Sequence, residues 1–308
     1  MAAISFIWNG EDTYTPESTT VYYRGIGQGY YVPEGYRESW TGLNFTYTGN
    51  GGHPTGGTLK SWTFQKVNST FAFTVTDLAY KIPVGATYAT LIGALFAGRD
   101  DWHGNSGDNF FYWSVGGDTY HGGDGIDTLD SLDYSKAVLI GNKPSFTKNG
   151  GSITLAAIGD LDVTLDSVER LRFSDCTVAL DLDGHAGTAA RIAGAVFGRD
   201  MLKSKELMGL AIDLLDSGMT PQALTQAALQ AKLGAGYTNT QLINLVYKNL
   251  TNTAPTAVDA QLYGSMLDEG LFTGAELAWA AADSALNAAN IDLAGLAKTG
   301  LDYLPWHG

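Results

Sequence analysis

Residues 95–130 divide into four consecutive segments of nine residues, and this repeat restricts the fold more than any other feature of the chain. The fourth residue of every segment is Gly, the sixth is Asp or Asn, and the eighth is large and apolar. The last segment, residues 122–130, fits the pattern Gly-Gly-x-Gly-x-Asp-x-apolar-x at every position. A fixed nine-residue period of this kind predicts a flattened parallel β-solenoid.

Each repeated position has a physical role in such a solenoid. Glycine permits the left-handed backbone angles of a tight turn, and Asp supplies a hard oxygen ligand for calcium, which accepts roughly six to eight oxygens. Successive turns lie on opposite sides, so we expect Asp100 to pair with Asp118 around one ion and Asn109 with Asp127 around another. The predicted calcium-binding residues are Asp100, Asn109, Asp118, Asp127, Gly98, Gly107, Gly116, Gly125, Gly123 and Asp124.

These segments resemble the calcium-binding repeats of the RTX (repeat-in-toxin) family, whose members are bacterial proteins exported by type I secretion. The resemblance implies that calcium binds between stacked turns through Asp side chains and backbone carbonyls. Leu95 and Phe96 replace the glycine pair in the first segment, and Trp113 and Ser114 replace it in the third. We therefore expect one or two good sites. The alternative is a glycine-rich hairpin region without a metal, against which the four in-register copies argue.

Segments on both sides of the repeat resemble the same secreted proteins. Residues 43–78 look like the β segment that often precedes the repeats. Residues 168–175 look like the segment that introduces a C-terminal helical domain of unknown function, and residues 242–247 resemble its core helix. The resemblance implies export by a C-terminal signal and an extracellular or cell-surface location, but no single activity.

The chain divides into three regions, which together predict an α+β fold. Residues 1–94 form an N-terminal β region, because segments such as 71–75 alternate with the period of half-buried strands. Residues 95–182 contain the calcium-binding β-roll and the strands that follow it. Residues 183–308 are rich in Ala and Leu at helical spacing, so we expect an all-α domain that also carries the secretion signal.

The helical region contains clear start and stop signals and an internal repeat. Residues 215–220 resemble residues 267–272, which begin 52 positions later, so two related helical units are expected. The start signals are Thr220 before Pro221, Thr238 with Gln241, and Thr273 with Glu276, and the stop signals are Gly218, Gly234 and Gly270.

Charge and cysteine content exclude several classes of partner. The net charge is −14, which disfavours nucleic acid and anionic membrane surfaces and favours divalent cations. A single cysteine, Cys176, excludes an intrachain disulfide framework. The first residues lack the features of a cleavable signal peptide, and no segment is long and apolar enough to span a membrane.

Two further pairs of residues in the repeat are candidates for contacts. His103 and His121 both occupy the ninth position of a segment and should stack on one outer face. Two imidazoles alone make a weak transition-metal site, so we interpret this face as exposed or as a domain contact. Phe110 and Tyr112 should also point outward, and packing against residues 1–94 is favoured over contact with a partner.

The sequence lacks the motifs of the enzymes most often joined to such repeats. There is no H-E-x-x-H pair of a zinc protease and no G-x-S-x-G turn of a lipase. Asp160 and Asp162 could share a face of a strand, but an exposed edge or a calcium contact is favoured over acid–base catalysis. Cys176 has no evident histidine partner and is interpreted as a buried thiol.

These observations favour a secreted, non-catalytic structural or surface protein that calcium stabilises and that self-assembles. One alternative is a calcium-dependent adhesin or glycan-binding module that uses Trp40, Tyr47 and Trp62. Another alternative is a secreted hydrolase whose site the sequence does not reveal.

Overall fold

The structure is a computed structural model in which the chain folds into two compact units. The first unit contains residues 1–105 and 114–121, and the second contains residues 106–113 and 122–308. The residues that the structure describes are 13–14, 18–23, 36–46, 54–66, 72–75, 80–87, 90, 99–113, 117–131, 134–141, 146–149, 152–156 and 162–305.

Strands dominate the first part of the chain and helices the second, so the described residues form an α+β fold, as the sequence predicts. The strands are β1 Thr13–Tyr14, β2 Ser18–Tyr23, β3 Tyr36–Thr46, β4 Gly56–Lys66, β5 Ala72–Val75, β6 Tyr80–Ile82, β7 Asp101–His103, β8 Phe110–Tyr112, β9 Thr119–His121, β10 Thr128–Asp130, β11 Phe146–Asn149, β12 Ser152–Ala156, β13 Asp162–Asp166, β14 Arg170–Arg172, β15 Thr177–Ala179 and β16 Leu301–Tyr303. The helices are α1 Lys136–Leu139, α2 His185–Phe197, α3 Lys205–Asp216, α4 Pro221–Leu233, α5 Asn239–Thr251, α6 Ala257–Asp268, α7 Gly274–Ala282, α8 Ala285–Asn290 and α9 Leu293–Thr299.

The first unit contains an antiparallel sheet of strand order β1-β2-β3-β4-β5, with β6 also paired to β4. Its buried side chains include Trp40 and Leu59, which are fully buried, and Ile82. On β3, Leu43 is exposed whereas Phe45 is buried, so the period-two alternation of a half-buried strand is interrupted here, where the pairing of β3 with β4 shifts register between Leu43 and Thr46. Residues 50–52, whose Asn-Gly-Gly sequence indicates a turn, lie outside the described residues. This unit also contains β7 and β9, which pair in parallel.

The second unit contains a five-stranded sheet of order β16-β15-β14-β10-β8. Its strands β8, β10 and β14 are parallel, whereas β15 and β16 are antiparallel to their neighbours. Strands β11, β12 and β13 form antiparallel pairs in the same unit. Strand β16 follows the last helix, so a segment near residue 301 completes a sheet that begins near residue 110.

The helical region is organised around α2, most of whose residues are buried. Small side chains such as Ala186, Ala190 and Ala193 allow the other helices to approach α2 closely, and larger residues such as Met208 and Ile212 fill the space between them. The same core contains Tyr303 of β16, so the helices and the five-stranded sheet share one apolar interior.

The predicted helix starts and stops are confirmed. Thr220 caps α4 with Pro221 at the first helical position, and complete capping boxes begin α5 and α7. Gly218 and Gly270 follow α3 and α6 with equivalent hydrogen bonds, in which each glycine N–H donates to the carbonyl three residues earlier. The turn after α6 therefore repeats the turn after α3, in the two segments whose sequences resemble each other.

A buried ion network joins the sheet of the second unit to its helices. The guanidinium of Arg170 on β14 is 3% exposed and donates to the carboxylates of Asp181 and Asp216. His185, the first residue of α2, has its Nδ1 atom 2.8 Å from Oδ1 of Asp216. Burial alone would lower the pKa of Arg170, but the neighbouring acidic groups raise it overall. Arg170 therefore stays charged and pairs with two carboxylates.

Two glycines inside helices provide a matched test of helix packing. A Cβ atom at Gly209 of α3 would lie 1.7 Å from the carbonyl oxygen of Leu304, whereas a Cβ at Gly264 of α6 would meet nothing within 4 Å. We expect Gly209→Ala to lower the free energy of unfolding by about 1–3 kcal/mol. Gly264→Ala should raise it by about 0.5–1 kcal/mol, because alanine has the higher helix propensity. Urea denaturation measures the free energy of unfolding of both variants. If the two substitutions change it by the same amount, Gly209 is not in close contact with Leu304.

Within the part of the chain that the structure describes, no helix combines the length and apolarity needed to cross a lipid bilayer.

Candidate metal centre

The nine-residue segments contribute two pairs of parallel strands, one in each unit. In the first unit Trp102 of β7 is the register partner of Tyr120 of β9. In the second unit Phe111 of β8 is the register partner of Leu129 of β10. Both pairs join residues that are 18 positions apart, which is the spacing that the repeat predicts. The described residues that immediately precede these strands are therefore stacked on each other within each unit. They are called the two turn stacks, which are residues 99–100 with 117–118 in the first unit and residues 106–109 with 122–127 in the second.

Asp100 and Asp118, which the sequence predicts to share an ion, lie together in the first unit. The backbone N–H of Asp100 donates to Oδ1 of Asp118 at 2.8 Å, and the N–H of Thr119 donates to the carbonyl of Asp100 at 2.8 Å. Asp118 is fully buried. Oδ2 of Asp100 is also buried and has no hydrogen-bond partner.

This arrangement is electrostatically unfavourable without a cation. Burial and, to a smaller extent, the adjacent Asp118 carboxylate together raise the pKa of Asp100 to about 6. A buried carboxylate oxygen that lacks a partner loses the hydration it has in the unfolded chain, and a native structure rarely leaves such a group unsatisfied. The two carboxylates of this turn stack are therefore suited to bind a positive ion.

The second unit contains an equivalent stack with one more member. The N–H of Asn109 donates to Oδ1 of Asp127 at 2.6 Å, and the N–H of Asp127 donates to Oε2 of Glu169 at 2.8 Å. Glu169 precedes β14, which pairs in parallel with β10. Asn109, Asp127 and Glu169 therefore form a row in which the carboxylates of Asp127 and Glu169 each accept the backbone N–H of the preceding member.

The row in the second unit also contains a buried oxygen without a partner. Asp127 is fully buried, and its Oδ2 accepts no hydrogen bond. Burial raises the pKa of Asp127 to about 6; the N–H of Asn109 opposes this shift, whereas the carboxylates of Glu169 and Asp108 add to it. Burial likewise raises the pKa of Glu169. The sixth position of a segment thus has the same unsatisfied oxygen in both units.

Close contact between turns explains one glycine of the predicted set. Gly125 has a φ of +114°, and a Cβ atom at this residue would lie 2.8 Å from the carbonyl carbon of Gly107. Because Asp108 Oδ1 also accepts the N–H of Ile126 at 2.8 Å, the backbones of the two turns are fixed against each other. Only a residue without a side chain allows this approach.

The remaining four residues of the predicted calcium-binding set are either exposed or outside the described part of the chain. Gly123 and Asp124 are exposed in the last turn of the repeat. Gly98 and Gly116 lie outside the described residues. Glu169 was missed by the sequence analysis because it is 42 positions beyond Asp127 and belongs to no nine-residue segment.

The described residues that the sequence offered for catalysis or glycan binding are not grouped into a site of that kind. Cys176 is buried, and burial raises the pKa of its thiol, which opposes a nucleophilic role. Asp162 is exposed on β13, and Asp160 lies outside the described residues. Trp40 is fully buried and cannot stack on a glycan, whereas Tyr112 is 57% exposed. Tyr47 lies outside the described residues.

The second unit also contains an open groove. It is lined mainly by alanine and leucine side chains and contains no Ser, Cys or His. The lining residues are Leu182, Asp183, Arg191, Ala288, Ala289, Asp292, Leu293, Ala294 and Ala297.

The most distinctive chemistry of the described residues is therefore the pair of turn stacks with buried carboxylate oxygens. Comparison of the chain with protein-family models, with curated proteins and with solved structures finds no match.

Proposed function

We propose that this protein is a secreted, calcium-stabilised, non-catalytic structural or surface protein, and that calcium binds in its two stacks of turns. The observation that carries the proposal is the recurrence of a buried, unpartnered Asp oxygen at Asp100 and at Asp127. Calcium is the divalent ion that best suits carboxylate and carbonyl oxygens in a flexible loop. The resemblance to RTX repeats supports the same ion and a parallel β-roll.

The first stack offers the carboxylates of Asp100 and Asp118, and the second offers Asp127, Glu169 and the amide oxygen of Asn109. Backbone carbonyls of the glycine-containing turns and water complete the roughly six to eight ligands that calcium accepts. Extracellular modules of this kind bind calcium with dissociation constants of roughly 0.1–1 mM. The sites would therefore be empty at the low calcium concentration inside the cell and filled at the high concentration outside it. Calcium then acts as a folding switch that operates after export.

The proposed sites predict a specific pattern of calcium binding. Isothermal titration of the full chain should show two ions with dissociation constants of roughly 0.1–1 mM. Asp100→Asn should abolish the first site and Asp127→Asn the second, whereas Glu169→Gln should weaken only the second. Asp283→Asn, which changes an exposed carboxylate on the helical side, is the control. Equal binding by all four variants would contradict the assignment.

Self-assembly is supported by apolar side chains that remain exposed. Val258 and Leu262, which share a face of α6, are 76% and 49% exposed, and Leu271 after the same helix is 64% exposed. Exposed apolar surface of this kind is typical of interaction sites. Sedimentation velocity at millimolar calcium should show large particles that chelator disperses. A monomer under both conditions would remove assembly from the proposal and leave the calcium sites.

A further inference from the structure

Three side chains that commonly bind metals lie together on one face of the β7–β9 pair. Asp101 and His103 are two residues apart on β7, so they project from the same face of the strand. His121 is the register partner of His103 on β9. Nε2 of His121 is 3.0 Å from Oδ1 of Asp101, and Nε2 of His103 is 3.4 Å from Oδ2 of the same residue.

The spacing of these atoms matches the first coordination shell of zinc. One ligand atom from each residue lies within 4.8 Å of the other two. Two ligands that are each about 2.0–2.1 Å from a tetrahedral zinc ion lie about 3.3 Å apart. The two Asp–His separations lie on either side of this value, so small side-chain rotations would suffice to admit an ion.

The donor atoms differ from those of the calcium stacks. Two imidazole nitrogens and one carboxylate oxygen suit zinc and neighbouring first-row metals, whereas calcium requires oxygen ligands. We propose that Asp101, His103 and His121 form a binding site for a divalent transition metal ion of the zinc class. The site uses none of the carboxylates assigned to calcium and goes beyond the proposed function.

The two strands hold these ligands in place. The rings of His103 and His121 are stacked, with centroids 4.6 Å apart and planes 9° from parallel. On the opposite face of the strands Trp102 and Tyr120 are also stacked, at 6.1 Å, and Tyr120 is fully buried. The N–H of Gly104 donates to the carbonyl of His121 at 2.7 Å. The strand register therefore brings the three ligands together before an ion arrives.

The site is open to solvent on one side. The side chains of His103, Asp101 and His121 are 64%, 65% and 35% exposed. Three protein ligands leave one tetrahedral position for water, as in exchangeable zinc sites and unlike sealed structural ones. We therefore expect one reversibly bound ion with a dissociation constant in the micromolar range.

Zinc titration of the full chain against a chromophoric chelator, in buffer with millimolar calcium, tests the site. The wild type should bind one zinc ion in the micromolar range. His103→Ala and His121→Ala should each weaken binding by at least about tenfold, because loss of an outer-shell partner alone often has that effect. His185→Ala is the matched control, since His185 also pairs with a carboxylate, Asp216, at 2.8 Å, but among the described residues no third metal-binding side chain completes a group with them.

A second measurement separates site loss from misfolding. Cobalt in place of zinc should give the visible absorption of a tetrahedral site in the wild type and in His185→Ala, but not in the other two variants. Circular dichroism should be the same for all four proteins. Zinc binding that is absent, weaker than millimolar, or unchanged in His103→Ala and His121→Ala would overturn the inference. The zinc titration is also repeated in buffer without calcium. If the calcium sites fail but this site exists, zinc binding is the same in both buffers and is still lost in His103→Ala and His121→Ala.

Discussion

Removal of calcium is expected to lower the melting temperature of the protein by about 10–20 °C. An ion that binds only the folded state at 100 times its dissociation constant stabilises it by about 2.7 kcal/mol, so two sites contribute about 5 kcal/mol. For a chain of this size each kcal/mol corresponds to about 2–4 °C. Thermal melts followed by circular dichroism, at 100 times the measured dissociation constant and after chelation, provide the measurement.

Two controls make this result specific. Magnesium at the same concentration should restore little of the stability, because it prefers a smaller octahedral site and loses water reluctantly. The double variant Asp100→Asn/Asp127→Asn should melt at one temperature with or without calcium. Identical wild-type melts in calcium and in chelator would show that the buried oxygens of the turn stacks are not calcium ligands.

Calcium is also expected to reverse how stability responds to acidification. In the metal-free protein the pKa values of Asp100 and Asp127 are raised to about 6 from 3.8, so between these values the folded state binds more protons than the unfolded state. Their contribution to stability therefore increases as the pH falls through 6 towards 4. With calcium bound, protons compete for the same oxygens, and the calcium-dependent gain shrinks over the same range.

The second large effect is expected from Arg170→Met, which should lower the free energy of unfolding by about 3–5 kcal/mol. The substitution leaves the carboxylates of Asp181 and Asp216 without the guanidinium that pairs with both, and both are largely buried. Methionine keeps much of the side-chain volume, so the loss reports charge and hydrogen bonds more than packing. Urea denaturation, followed by far-ultraviolet circular dichroism, measures the change.

A charge-neutral combination separates the ion network from other causes. Arg170→Met with Asp181→Asn and Asp216→Asn removes the unpaired charges, and we expect it to recover part of the lost stability. Lys203→Met, which breaks an ion pair whose two side chains are more than 80% exposed, should leave stability unchanged. If Arg170→Met unfolds at the same urea concentration as the wild type, the network does not hold the sheet to the helices.

Local signals in the sequence predicted a large part of this fold. The capping residues that begin α4, α5 and α7 and the glycines that follow α3, α4 and α6 depend on hydrogen bonds within a few residues, and the structure contains them. The 18-residue register of the repeat follows from a short period, and Asp118 and Asp127 lie against Asp100 and Asn109 as that period requires. Interactions between residues that are close in the sequence can therefore be predicted from the sequence itself.

Contacts between distant segments were not predictable in the same way. Glu169 joins the second turn stack only because β14 pairs with β10 across 42 positions that include a hairpin, and no period connects the two strands. Asp101 occupies a variable position of its segment, so its place beside His103 and His121 depends on strand pairing. Arg170 meets Asp216 through the packing of α3 on the sheet. Each case depends on tertiary structure rather than on pattern.

The pairing of β16 with β15 has a consequence for how the polypeptide matures. Residues 301–303 hydrogen-bond to residues 177–179, and Gly209 of α3 packs against the carbonyl of Leu304. During synthesis, the sheet that contains β8, β10 and β14 cannot acquire its outermost strand until residues 301–303 have been made, long after β8. The β15 edge therefore stays without its antiparallel partner while the helical region is synthesised, and the sheet is completed only when β16 follows α9.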